Sequence, residues 1–354
     1  MGKSTLFNCV SSGKAQSANF PFCTIEPNLG SVNVPDRRLD TLADICKPQR
    51  VIPATVDIVD IAGLVKGASR GEGLGNQFLA NIRECDAILH VLRCFDDGNV
   101  VHVDGSVDPV RDKEVVDTEL QIKDLETVEN RLAKCEKAGK AGDKEARKLA
   151  DLLQRYREAL QQGRSCRTVQ PVNEEEASLA HDLFLLTNKP VLYVCNVDDA
   201  SAVEGNAYVD AVKAAIADEN AGLLIISART ESEIAEMDDF EERQMFLADL
   251  GLEESGVVRL IQGAYRLLGL RTFFTAGADE CRAWTIHAGD KAPRAAGVIH
   301  TDFEKGFIRA EVIKYDDFVQ YKTEAAVRAA GKMGVEGKEY VVQDGDVMHF
   351  LFNV

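Results

Sequence analysis

The chain has 354 residues and a formal net charge of −17, with 45% hydrophobic and 28% charged residues. That apolar share excludes a wholly disordered chain, the length suggests two or three domains, and the acidic balance opposes nucleic acid outside a local basic island. Nine dispersed cysteines without a CxxC, no apolar leader and no run of 18 apolar residues point to reduced thiols in a cytosolic chain and exclude a membrane protein.

In chain order, the first feature is Gly2-Lys3-Ser4-Thr5, the second half of the phosphate-binding pattern G-x-x-x-x-G-K-[ST]. In such a loop backbone N–H groups cradle phosphates, the Lys reaches the β/γ oxygens and the Ser hydroxyl binds Mg²⁺. Thr24, in Phe20-Pro21-Phe22-Cys23-Thr24, sits where a switch-loop Thr should ligate the same Mg²⁺. Thr55–Asp60 reads as a strand ending in Asp60-Ile61-Ala62-Gly63, a D-x-x-G element whose Asp reaches the Mg²⁺ shell and whose Gly63 N–H senses the γ-phosphate. Gly71-Glu72-Gly73-Leu74-Gly75-Asn76 follows it and reads as a switch segment, since it opens no βαβ unit.

Ala87–Leu92, Pro190–Cys195 and Leu223–Ser227 are near-continuous apolar strands, the pattern of a parallel sheet covered on both faces. The text between them is helical, so the expected class is α/β, a doubly wound, mostly parallel sheet of P-loop NTPase type. Asn196-Val197-Asp198-Asp199 follows one strand in the base-recognition position, and Ser227-Ala228 follows the next, where a backbone contact to the base is expected.

From Val115 to about Leu160, Ile122, Leu125, Val128, Leu132 and Cys135 and then Leu149, Leu152, Leu153, Tyr156 and Leu160 recur at helical spacing around a Gly139–Asp143 break. The expectation is an antiparallel helical hairpin inserted into the α/β domain. Residues 131–170 hold eleven Lys and Arg against five acids, whereas 230–256 hold ten acids against Arg243. The hairpin is therefore a candidate docking arm for an acidic partner such as rRNA. From Gly269 onward alternating segments such as Gly306–Val312 and His349–Val354 suggest a small β-rich module.

The strings FPFCTIEPN, DIAGLVKGASRGEGLGNQFLANIRECDAI, HTDFEKGFIRAEV and DGDVMHFLFNV resemble the YchF/Obg-like ATPases, and the likeness runs over essentially all 354 residues. The resemblance implies a G domain at 1–114 and 185–268, a coiled-coil insertion at 115–184, and a TGS domain of ubiquitin-like β-grasp type at 269–353. It also implies ATP hydrolysis in preference to GTP, a cytoplasmic location, and association with the ribosome or its large subunit and with translation factors, as a nucleotide-dependent switch in translation or stress response. Two departures stand out. The family carries a strand and the first half of the phosphate loop ahead of Gly2. Met1 stands within that loop, so either the start is placed late or the chain is truncated there; a late start is the expectation, since losing a central strand leaves unpaired edges. Asp199 stands where the family usually has Glu.

The expected site is thus Gly2, Lys3, Ser4, Thr5, Gly63, Asn196, Val197, Asp199, Ser227 and Ala228 around the nucleotide, with Ser4, Thr24 and Asp60 toward Mg²⁺. The residue after D-x-x-G is Leu64, which cannot orient a water as the Gln of Ras-like proteins does. His102, in a polar, Gly-flanked loop, is the candidate to do so beside Lys3, and it matches the His that the family is thought to use. His90 sits inside an apolar strand and reads as packed. The competing readings are a module that binds ribosome or RNA without hydrolysis, its phosphate loop being incomplete, and a GTPase, in view of Asp199.

Overall fold

In the computed structural model, which describes residues 2–11, 28–61, 74–98 and 105–353, the chain divides into two compact units. One comprises Met1–Gly30 and Val59–Leu260, the other Ser31–Ile58 and Ile261–Val354. Chain order begins α1 (Lys3–Val10), β1 (Asn28–Asn33), α2 (Arg37–Cys46), β2 (Arg50–Ile52), β3 (Thr55–Asp60), α3 (Leu74–Glu84) and β4 (Ile88–Arg93). It continues with α4 (Pro109–Lys140), α5 (Lys144–Gln161), α6 (Glu174–His181), β5 (Val191–Asn196), α7 (Ala207–Ala215) and β6 (Gly222–Ile226). Next come α8 (Ala228–Glu236), α9 (Phe240–Asp249), α10 (Gly256–Leu267), β7 (Leu270–Ala276) and β8 (Glu280–His287). The last elements are α11 (Ala292–Ile299), α12 (Thr301–Lys305), β9 (Phe307–Ile313), α13 (Tyr315–Tyr321), α14 (Glu324–Ala329), β10 (Gly334–Glu336) and β11 (Val347–Phe352).

In the first unit β4, β5 and β6 form a parallel sheet in the order β4-β5-β6. Every residue of β5 is buried, as its unbroken apolar run requires of a central strand. The register sets Arg93 opposite Asn196 and Asn196 opposite Ile226, so the Asn196 motif leaves the sheet at its carboxyl edge, where open α/β sheets bind ligands. β3 takes its ladder from β1 in a two-stranded ribbon, not from β4, so the described strands do not form one continuous doubly wound sheet.

The hairpin is present. α4 and α5 bury Val128, Leu132 and Cys135 against Leu152, Leu153, Tyr156 and Leu160. Gly142 turns the chain with φ +102°, a conformation that glycine adopts without Cβ strain. α4 starts six residues before the apolar periodicity does, because Asp108 caps it by accepting from the Arg111 N–H at 3.0 Å and Pro109 occupies its first turn.

In the second unit β2 and β7–β11 form a sheet in the order β10-β9-β11-β7-β8-β2. Its core packs Phe273, Ile286, Phe307, Ala310, Val312 and Phe350 against Ala292, Ala295 and Ala296 of α11. Residues 31–58 belong to this unit, because β2 runs parallel to β8 and Arg38 of α2 pairs with Asp344 at 2.8 Å. A three-residue strand is too short to show a period, so nothing in the sequence announced that assignment.

Candidate nucleotide site

Gly2 caps the N-terminus of α1 with φ +92°. A Cβ at that position would collide with the Asn196 side-chain amide and come within 3.3 Å of the Ala228 Cβ, so only glycine lets the chain pass there. Gly2 offers no side-chain acceptor and the first turn holds no acid, so the first N–H groups of α1 form a positive, anion-binding helix end. Lys3 follows directly, and its ammonium pairs with the Asp60 carboxylate at the end of β3. The Ser4 hydroxyl donates to Asp60 Oδ2 at 3.3 Å, and Ser4 and Thr5 are exposed. Lys3 thus neutralises the carboxylate with the same charge that a phosphate would draw.

This corner suits Mg²⁺. A hydroxyl and a carboxylate are hard oxygen donors, and Mg²⁺ in nucleotide sites takes only one or two protein ligands alongside phosphate oxygens and water. Among the described residues no group of three or more His, Cys, Asp or Glu gathers as an all-protein metal cage.

At the carboxyl edge of the sheet, Asn196 is 3% exposed and its Oδ1 accepts from the Ala228 N–H at 2.9 Å, tying β5 to the start of α8. Ser227 caps α8 by accepting from the Thr230 N–H at 3.2 Å. Asp199 Oδ1 accepts from the Ser227 hydroxyl at 2.6 Å and from the Thr230 hydroxyl at 2.7 Å, while Arg229 Nε lies 3.6 Å from its Oδ2. Partial burial works against the ionised form, but these two donors and the Arg229 charge outweigh it and hold the Asp199 carboxyl below the usual carboxylate range.

Gly2, Lys3, Ser4 and Asp60 are therefore linked, through Gly2 and Asn196, to Ala228, Ser227 and Asp199. Val197 lies apart. Its N–H bonds the Ile226 carbonyl at 2.9 Å, which prolongs the β5 pleat and puts its side chain on the same face as Tyr193 and Cys195. At 3% exposure it is packed in the cluster that also holds Tyr193 and Cys195. Thr24, Gly63, Leu64, His102 and the Gly71–Gly73 part of the switch segment lie outside the described residues. Thr230 escaped sequence reasoning, because three places after the Ser227 N-cap it stands where a capping box would show Glu or Gln. Glu231 escaped it too: buried at 3% exposure, it accepts from the Gly256 and Val257 N–H groups and caps α10.

Comparison with known proteins shows the family to which the chain belongs. Residues 1–135 match the family model described as a 50S ribosome-binding GTPase. Residues 270–353 match the YchF-GTPase_C model, described as a protein of unknown function. The Ribosome-binding ATPase YchF of Escherichia coli O157:H7 is 52% identical over 354 residues, covering 100% of this chain and 97% of that protein. The Obg-like ATPase 1 of Rattus norvegicus is 44% identical over 358 residues, covering 100% of this chain and 90% of its own. The solved structure of the Schizosaccharomyces pombe YchF GTPase superposes with a TM-score of 0.86 at 39% identity, over 99% of this chain and 95% of that one. The chain belongs to the YchF family of Obg-like P-loop ATPases.

Proposed function

We propose that this chain is a ribosome-associated nucleotide hydrolase that cleaves ATP in preference to GTP and signals its nucleotide state to a docked ribosome. One observation carries the reading: the glycine-capped N-terminus of α1, the Lys3–Asp60–Ser4 corner and the Asn196–Ala228 link converge through Gly2. The names of the relatives at 44–52% identity supply the ATPase and ribosome parts.

In this reading the α1 N–H groups and Lys3 bind the β- and γ-phosphates, which focuses positive charge where negative charge develops during phosphoryl transfer. Ser4, Thr24 and Asp60 are the residues that would hold Mg²⁺, which neutralises phosphate charge when bound. Gly63 reports the γ-phosphate through its N–H. Asn196, Ser227 and Ala228 hold the base edge of the site. His102 orients the attacking water in place of a Gln, since Leu64 has no group to do so. The three-part division into nucleotide domain, basic helical arm and C-terminal TGS domain, the rRNA contact through the arm, the translation-factor partners and the cytoplasmic location belong to the same proposal. No helix among the described residues is long and apolar enough to cross a membrane.

The test is phosphate release from ATP and GTP by the full chain, with and without ribosomes, alongside co-sedimentation. ATP turnover exceeding GTP turnover, with pelleting that responds to nucleotide, is expected. Pelleting without any turnover would favour the non-hydrolysing module instead.

A further inference from the structure

We propose that Thr230, with Ser227 and Arg229, sets the base selectivity of this site by keeping the Asp199 carboxylate from reading a guanine edge. The inference rests on the nucleotide-site reading above. It explains how a chain bearing the aspartate that a guanine site uses can still take adenine.

Guanine presents N1–H and N2–H side by side, and a carboxylate reads both only if each of its oxygens has a free lone pair facing the base. An ionised carboxylate oxygen offers about two such sites. Oδ1 of Asp199 has both committed, to the Ser227 hydroxyl at 2.6 Å and the Thr230 hydroxyl at 2.7 Å. Oδ2 faces the Arg229 guanidinium, with Nε 3.6 Å away. The two-point guanine contact therefore lacks one of its acceptors.

The arrangement is built, not incidental. Ser227 and Thr230 are each 2% exposed, so water does not compete for their hydroxyls. Thr230 is fixed a second time through its N–H to Ser227 Oγ, on the first turn of α8. The same helix start is anchored to β5 by the Ala228 N–H to Asn196 Oδ1 bond. Adenine presents a lone pair at N1, which a bare carboxylate repels. Two O–H donors and a guanidinium spread the Asp199 charge and relieve that repulsion. Asp199 thereby acts as a support for α8, and Thr230 is the residue whose removal would free it.

The experiment is titration of the 354-residue chain with fluorescently labelled ATP and GTP, on the wild type and on Thr230→Val and Thr230→Ser. Thr230→Val keeps the side-chain volume and removes the hydroxyl. It should lower the GTP dissociation constant about tenfold, about 1.4 kcal/mol, while ATP binding weakens, because one of the two donors that screen the Asp199 charge from adenine N1 is lost. Thr230→Ser keeps the hydroxyl and should keep the wild-type ratio. An unchanged ATP-to-GTP ratio in folded Thr230→Val would overturn the inference while leaving the nucleotide site intact. Should Thr230→Val fail to fold, Arg229→Ala, at a side chain 79% exposed, decides the matter. It should shift the ratio toward GTP by about threefold, a smaller step because the guanidinium stands beyond hydrogen-bond distance, and no shift overturns the inference. Wild-type chain that takes neither nucleotide would remove the nucleotide-site reading and this inference together.

Discussion

Lys3 and His102 should fail in different ways when removed. Lys3 is held beside Asp60 at a helix N-terminus, and in the proposed function it acts on phosphate both in the bound state and as charge develops. Lys3→Ala should weaken ATP binding and lower kcat by about 10²-fold or more. The Lys3 side chain is 38% exposed, so solvent screens its pair with Asp60 and the fold should lose at most about 1 kcal/mol. His102→Ala should leave ATP affinity nearly unchanged and lower kcat by about 10²-fold. Single-turnover rates with direct ATP titration separate the two, and equal losses of affinity in both variants would sink the assignment of His102 to the water. The residues of the candidate site were legible where a motif reports a backbone need: Gly2 because only glycine passes the Asn196 amide, Asn196 and Ser227-Ala228 because they close or follow apolar strands. Position after a motif says nothing about which face of the pleat a side chain such as that of Val197 takes. Thr230 was overlooked because its hydroxyl works across 31 positions of sequence, on Asp199.

The helical arm is joined to the sheet by a charged network that periodicity could not reveal. Lys113 of α4 pairs with Asp117 at 2.7 Å and with Glu219, and Glu219 also accepts from the Tyr193 hydroxyl at 2.7 Å and from Arg167 at 3.1 Å. One turn-pair further along α4, fully buried Asp124 accepts from the Leu186 and Thr187 N–H groups and from the Thr187 hydroxyl. Polar residues on an arm helix read as solvated in sequence, and here they are the joint. Burial disfavours the Glu219 carboxylate, but Lys113 and Tyr193 outweigh burial and hold its pKa below the usual range. A depressed acid contributes stability that is fully present above its unfolded value and is lost as pH falls through the folded one. Glu219→Gln should therefore cost about 3 kcal/mol at pH 7, and the gap to wild type should narrow as pH falls below about 4. Asp124 works in the opposite sense, because burial raises its pKa and acid relieves that cost. Urea unfolding of both chains at pH 7 and at about pH 3, followed by far-ultraviolet circular dichroism, reads the difference. A gap that stays constant between those pH values would refute the role given to Glu219. At this scale, strands and helices with an unbroken period were placed to within one or two residues in the sequence, whereas β2 and the start of α4 depend on a ladder and a cap.

Across the whole molecule, charge decides which surfaces meet an acidic partner. The chain carries −17 overall, so in the proposed rRNA contact the basic segment 131–170 is the surface expected to meet RNA. The structure sorts that segment's cations by availability. Lys148 and Arg155 pair with Glu175 and Glu176 of α6, and Arg147 Nε donates to the Gly139 carbonyl at 2.8 Å, closing the hairpin turn. Lys134, Lys137, Lys140 and Lys144 stand exposed around that turn. Arg147 is thus part of the fold of the tip, and a charge reversal there would confound binding with unfolding. The informative variant reverses Lys137, Lys140 and Lys144 to Glu and keeps Arg147. Each cation that neutralises a phosphate releases condensed counterions, so losing three contacts should make the plot of log affinity against log salt shallower by about 2. At low salt the variant should pellet with ribosomes at least about tenfold more weakly, while its helical content is unchanged, since exposed tip substitutions usually cost within about 0.5 kcal/mol. Pelleting and a salt slope identical to wild type would mean that the tip is merely solvated and that attachment uses another surface.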